Sequence, residues 1–437
     1  MRTLDEWLDY QQRVHPREIE LGLDRIRAVW ERLGSPAPAP TVISVGGTNG
    51  KGSTVAFLEA MTRAAGLRVG AFTSPHLLAY NERIRIDGVD SDDASLIDAF
   101  ERIELARGEI ALTYFEFNLL AAVCLFADAN LDLAILEVGL GGRLDAVNLI
   151  DAEAAIVTTI DLDHQDWLGN DRDSIGREKA GIFRDGRPAV IGESDPPDGL
   201  LAQAERTGAR MIRRDAGYSV ERHGDHWIWR NDSIELELPL PALSASAQID
   251  NAASAIAALH ALRGRLGWNP RALATGVAGA RLPGRLQRSV SETGIQLLID
   301  VAHNPQAARQ LAQYLFEHPT GGRSIAVFGA LADKDVSAIV AVLDGAFDHW
   351  CLGGLDGTNT RGLDVMALRE RVAPLLSSDM TTHVDIAAAL DAAQASARHG
   401  DLIVAFGSFH VAAVAMRMAA RDQYVACATV PVATVRL

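Results

Sequence analysis

A glycine-rich run, Gly46-Gly-Thr-Asn-Gly-Lys-Gly-Ser53, constrains this chain more than any other feature. It follows an apolar, β-rich run, Thr41–Val45, and leads into Ser53–Ala65. There Val55, Leu58, Met61 and Ala65 fall on roughly one helical face, and Gly66 sits where a helix C′ glycine belongs. Glycines let backbone N–H groups turn inward, a helix N-terminus adds the positive end of its dipole, and Lys51 can reach terminal phosphates. Strand, loop and helix together predict a phosphate-binding loop, although Gly52 between Lys51 and Ser53 departs from the general GxxxxGK[ST] spacing. A glycine-rich turn without a ligand is the plain alternative.

Further apolar runs, Leu67–Phe72, Leu131–Leu136 and Ala154–Ile160, are apolar on consecutive positions, as parallel strands covered on both faces are. The pattern is βαβ and predicts a doubly wound α/β sheet. Near Gly217–Leu240 the texture changes to alternation, His226-Trp-Ile-Trp and Ser233-Ile-Glu-Leu-Glu-Leu, which reads as antiparallel strands. A helical stretch, Asn251–Leu262, precedes a hinge at Arg281-Leu-Pro-Gly-Arg-Leu286. A fresh set of strands then begins: Ile295–Asp300, Ser324–Phe328, His349–Leu352 and Leu402–Phe406. The expectation is a P-loop-type parallel-sheet domain over residues 1–285 and a smaller Rossmann-like α/β domain over 295–437.

The 437 residues carry a net charge of -16, a poor balance for nucleic-acid or membrane-surface binding. Any bound anion must be held by local backbone N–H groups and a few cations. Cys124, Cys351 and Cys427 form no CxxC pair, so neither a disulfide framework nor a Cys-rich zinc site is expected. No run reaches the ~18 apolar residues of a membrane helix, and the first residues lack a signal-peptide core. A soluble cytoplasmic monomer is expected.

Three predicted strands end in polar groups: Thr73-Ser74-Pro75-His76, Glu137, and Asp161-Leu-Asp-His164. The carboxyl ends of parallel strands share one edge, where ligands bind, so Ser74, Glu137 and His164 converge near the phosphate loop. A hydroxyl and a carboxylate suit Mg²⁺. Singly, Ser74 could cap a turn and His164 could be a satisfied core histidine.

Gly47-Thr-Asn-Gly-Lys-Gly-Ser53, Thr73-Ser-Pro-His-Leu77, Leu136-Glu-Val-Gly-Leu-Gly-Gly-Arg-Leu-Asp145 and Glu178-Lys-Ala-Gly-Ile-Phe183 resemble the signatures of the folylpolyglutamate synthase family, within the Mur ligase superfamily. Asp300-Val-Ala-His-Asn-Pro305, Asp333-Lys-Asp335 and Phe406-Gly-Ser-Phe409 resemble its C-terminal motifs. The resemblance implies that Asn49, Gly50, Lys51, Gly52 and Ser53 hold ATP phosphates. Asn251, Arg285 and Asp300 match further nucleotide contacts, and Ser74, Glu137 and His164 match Mg²⁺ ligands, with two metal sites in all. Lys51, Lys179 and His303 match the catalytic set. Lys179 matches a lysine that is carbamylated in the superfamily; a solvated helix lysine beside Glu178 is the alternative.

Glu20-Leu21-Gly22, Thr113-Tyr114-Phe115-Glu116 and Leu144-Asp145-Ala146 match segments that line a dihydropteroate pocket in similar enzymes. Asp145 could accept from the pterin's N–H donors or merely cap the turn after Gly142. The implied reaction is ATP-dependent ligation of L-glutamate to dihydropteroate and to reduced folates through an acyl phosphate. Extension of the folate tail alone is the alternative. A cell-wall Mur ligase would need a UDP-sugar domain before Gly46. A P-loop kinase would not need Asp300–Pro305, and a non-catalytic scaffold would not need Ser74, Glu137 and His164 together.

Overall fold

The apolar runs of the N-terminal half become buried strands in a computed structural model that describes residues 2–17, 19–357 and 361–427. The strands are Val42–Gly46 (β1), Val69–Phe72 (β2), Ile84–Ile86 (β3), Val89–Asp90 (β4), Leu133–Glu137 (β5), Ala154–Val157 (β6), Pro188–Ile191 (β7) and Arg210–Arg213 (β8). They form one sheet in the order β4-β3-β2-β5-β1-β6-β7-β8. The strands from β2 to β8 in that order run parallel, and β3 and β4 extend the sheet antiparallel. Every residue of β1 and β5 is buried, which explains why neither alternates.

Register fixes the functional edge. Val45 pairs with Glu137, Gly46 with Val157 and Phe72 with Leu136. The four strands β2, β5, β1 and β6 therefore end at one level, and the loops after them share one rim. The helix Lys51–Ala64 returns the chain from β1 toward β2 and is closed by Gly66 at φ 85. Ser219–Arg222 (β9), His226–Arg230 (β10) and Glu235–Pro239 (β11) form a small antiparallel sheet. Its alternation buries Trp227 and Trp229 on one face. The helix Ala247–Ala261 follows and carries Asn251.

A second sheet holds Gln287–Val290 (β12), Gln296–Ile299 (β13), Ser324–Phe328 (β14), His349–Gly353 (β15), Asp379–His383 (β16), Leu402–Phe406 (β17) and Val425–Ala426 (β18). The order is β16-β15-β14-β17-β13-β12-β18, parallel from β16 to β13. Phe328, Phe347, Trp350 and Phe406 stack in its core.

Among the described residues, contacts group the chain up to Ala242 with Gln248–Ala280, and Leu243–Ala247 with the chain from Arg281 to Cys427. The second unit thus borrows a short segment from ahead of the helix Ala247–Ala261, and the stretch read as a hinge begins it. The strand expected to reach Ile160 stops at Val157, and Thr158 and Thr159 lie in the following loop. Among the described residues no helix is long and apolar enough to cross a membrane.

Candidate active site

The loop after β1 is latched to the loop after β6. Thr48 N–H donates to Thr159 O at 2.7 Å, and Asn49 N–H donates to Thr159 Oγ1 at 3.0 Å. In return Thr158 Oγ1 donates to Asn49 O at 2.6 Å. A Cβ on Gly47, at φ 141, would lie 1.9 Å from Thr158 Oγ1, and one on Gly50, at φ 88, 2.4 Å from Asn251 Oδ1. Both glycines are required by close approach as well as by backbone conformation. Neither threonine was among the sequence candidates, because their β propensity placed them inside the strand. A threonine pair at the exit of a strand beside β1 was the available signal.

Two lysines meet at one carbonyl. Lys51 Nζ donates to Gly47 O at 3.1 Å and to Thr48 O at 3.2 Å, and Lys179 Nζ donates to Gly47 O at 2.9 Å. Lys179 ends the helix Arg172–Lys179 and is only 5% exposed, which rules out a solvated helix lysine. Burial first, and then the Lys51 charge, push its pKa down to about 7, against the opposing pull of Asp163 and Asp145. Its neighbour Glu178 pairs outward with Arg143, Nη2 to Oε1 2.9 Å.

Glu137 ends β5 with 4% of its surface exposed, and Ser74 N–H donates to its Oε2 at 3.3 Å. A buried carboxylate beside a serine at a phosphate-loop rim fits a hard cation. Among the described residues no group of three or more His, Cys, Asp and Glu is placed to cage a metal. His164 starts the one-turn helix Gln165–Leu168 with φ 52, and its N–H donates to Asp163 Oδ1 at 2.9 Å. Asp163 is also the charge that favours the protonated form of Lys179, so this loop reaches the lysine pair.

The three segments read as a pterin pocket come together. Gly22 N–H donates to Leu144 O at 3.1 Å. Glu20 and Glu116 accept from one guanidinium, that of Arg25. Thr113 caps the helix Tyr114–Asp128 in a reciprocal box with Glu116. The Phe115 ring lies 5.7 Å from that of Phe72 and so close to Gly139 that a Cβ there would lie 2.8 Å from it. Tyr114 packs edge-on to Tyr80. Asp145 accepts from Leu140 N–H at 2.8 Å and from Val147 N–H at 3.0 Å, so it does cap its turn. Burial pushes its pKa up to about 6 despite those bonds. A carboxylate has about four acceptor sites, so capacity beyond the two caps remains. Leu21 and Ala146 complete the segments.

In the second unit Asp300 follows β13. It accepts from Leu286 N–H at 2.9 Å and Ala302 N–H at 2.7 Å, and burial raises its pKa while nearby Arg285 opposes. Arg285 also lies 5.3 Å over the Phe409 ring, and His303 lies 6.0 Å from the same ring. Ile299 pairs with Ala405, which brings the turns after β13 and β17 side by side. Asn304 and Ser408 cap the helices that follow.

Residues 45–259 match the Mur ligase middle domain, and residues 284–409 match the Mur ligase glutamate ligase domain. The dihydrofolate synthase/folylpolyglutamate synthase of Escherichia coli K12 is 45% identical over 418 residues, covering 95% of each chain. This chain belongs to the dihydrofolate synthase/folylpolyglutamate synthase family of Mur ligases. Solved members of the family share its fold. E. coli FolC in complex with DHPP and ADP has TM-score 0.89 at 42% identity, covering 97% of this chain and 99% of that one. A bifunctional folylpolyglutamate synthase/dihydrofolate synthase with Mn, AMPPNP and L-glutamate bound has TM-score 0.86 at 43% identity, covering 96% and 98%. In this family member the lysine pair, Glu137, Thr113–Glu116 and Leu144–Ala146 lie in the middle domain. Arg285, Asp300 and His303 lie in the glutamate ligase domain, and Glu20–Gly22 precedes both matches.

Proposed function

We propose that the chain adds L-glutamate to dihydropteroate, giving dihydrofolate, and to tetrahydrofolate glutamates, consuming one ATP per amide bond. The observation that carries this reading is the shared rim. The phosphate loop with its two lysines and the folate-side segments all follow strands, or pack on loops, at the same sheet edge. The γ-phosphoryl group passes to the folate carboxylate, forming an O–P bond as ADP leaves. The glutamate amine then attacks the acyl carbon, loses a proton, and inorganic phosphate leaves.

The loop N–H groups from Asn49 to Ser53 and Lys51 hold the phosphates in line and offset their charge. Asn251, beside Gly50, contacts the nucleotide, and Arg285 and Asp300 match the family's further nucleotide contacts. Ser74, Glu137 and His164 would hold Mg²⁺, which would supply charge neutralisation on the phosphate oxygens, with Lys179 serving a second position. The neutral Lys179 amine would add to CO₂, forming an N–C bond and releasing one proton, so that a neutral amine becomes an anionic carbamate able to offer oxygens to a cation. Aromatic Tyr114 and Phe115 with Leu21 flank the pterin, Asp145 accepts from its edge, and His303 acts at the glutamate end. The enzyme works as a cytoplasmic monomer of 46.9 kDa.

The test is an assay pairing dihydropteroate and tetrahydrofolate, each with glutamate and Mg-ATP. Product from both supports the reading. Extension of tetrahydrofolate with no product from dihydropteroate reduces it to tail extension, and no glutamate-dependent ADP release from either defeats it.

A further inference from the structure

We infer that Arg25 is a positioning residue for the folate substrate, clamping the N-terminal strap onto the helix that lines the pocket. The inference rests on the reading of that pocket given above. Arg25 lies one residue into the helix Asp24–Arg32 and has no part in the phosphate loop.

Each nitrogen of its planar fork donates once. Nε donates to Glu116 Oε2 at 3.0 Å and Nη1 to Glu20 Oε1 at 2.8 Å, while Nη2 donates to the Glu20 carbonyl. The two carboxylates it joins are 96 residues apart in sequence, one in the N-terminal segment and one on the helix Tyr114–Asp128. Glu116 is 2% exposed, and its Oε2 also accepts from Thr113 N–H and Thr113 Oγ1. Its Oε1 has no hydrogen-bond partner. A carboxylate this buried is stable as an ion only beside a cation, and Arg25 is the cation bonded to it.

Among the described residues of this strap, which spans residues 15–23, the ties to the pocket segments are these. Leu23 gives the helix no side-chain cap, and Gly22 N–H to Leu144 O is the backbone bond that joins the strap to the Asp145 turn. Arg17 lies 3.4 Å and His15 3.7 Å from Glu20, both on the strap itself, so neither fixes it to the pocket helix. Arg25 therefore sets where Leu21 and Gly22 stand relative to Thr113–Glu116. Lysine cannot replace it, because one ammonium cannot present three donors in a plane to two carboxylates and a carbonyl.

The experiment measures steady-state kinetics and thermal unfolding for the full chain and for Arg25→Ala, Arg25→Lys and Glu20→Gln. Arg25→Ala should raise the KM for dihydropteroate about tenfold or more, the scale of one lost charge-assisted hydrogen bond. The KM for ATP should stay within about twofold, because the phosphate loop is latched elsewhere. Arg25→Lys should recover less than half of the loss, and Glu20→Gln, which keeps the fold and the Arg25–Glu116 pair, should shift the same KM in the same direction. Equal loss in ATP and dihydropteroate parameters, or an unchanged dihydropteroate KM in Glu20→Gln and Arg25→Lys, would overturn the inference. In either case wild-type activity on dihydropteroate leaves the functional reading standing. A wild type inactive on dihydropteroate defeats both.

Discussion

Lys51 and Lys179 share the Gly47 carbonyl, and the Lys51 charge bears on Lys179. Lys51→Ala removes the loop-borne cation and should lower ligation about 10²–10³-fold. It should also let the Lys179 pKa rise, since the Lys51 charge is the second cause of its depression. Near-normal turnover in the purified variant would count against the phosphate-loop assignment. Lys179 itself should make activity depend on CO₂. Below about pH 7 the amine binds a proton and cannot add CO₂; above it the amine is free, so bicarbonate dependence should strengthen as pH rises through 7. The check is activity in CO₂-stripped buffer at pH 6 and pH 8, before and after bicarbonate is restored. Equal activity in all four conditions would exclude a functional carbamate.

At the scale of elements, the strand ends carry the design. Thr158 is buried between the loops after β1 and β6, and its hydroxyl donates to Asn49 O. Thr158→Val keeps the shape and removes that donor. Thr159 Oγ1 still donates to that carbonyl at 3.2 Å, so the variant should lose only about 1 kcal/mol of stability, and it should bind ATP less well as the loop loosens. Calorimetry and the ATP KM together check this, and unchanged values in both would show that the latch is dispensable. Gly47→Ala should be far worse, because the new Cβ would overlap the Thr158 hydroxyl at a backbone angle that alanine rarely adopts.

Among the described residues, one hydrophobic core packs in the first unit and another in the second. Trp350 is fully buried in the second, against Phe328, Phe347 and Phe406. Trp350→Ala should cost about 3–5 kcal/mol, borne by the second unit. Thermal unfolding should then separate into two steps, the earlier one belonging to the weakened second unit. A single transition shifted as a whole would mean that the cores melt together.

The sequence by itself determined the βαβ texture, the phosphate loop, and the residues at the strand ends. Each of these is a local pattern: consecutive apolar residues in β1 and β5, a glycine run before a helical period, and a polar residue where a strand stops. Whole motifs such as Leu136–Asp145 and Asp300–Pro305 also carried the family. Tertiary structure alone decided the partners. Lys179 reads as a surface lysine until a distant glycine carbonyl and Lys51 bury it. Thr158 and Thr159 read as strand until register ends β6 at Val157 and turns them onto the loop. Arg25 reads as an ordinary helix cation until the fold sets Glu116 against it. Local pattern dictates backbone conformation through sterics and burial, whereas these roles depend on contacts between residues about 90 or more positions apart, which chain proximity does not specify.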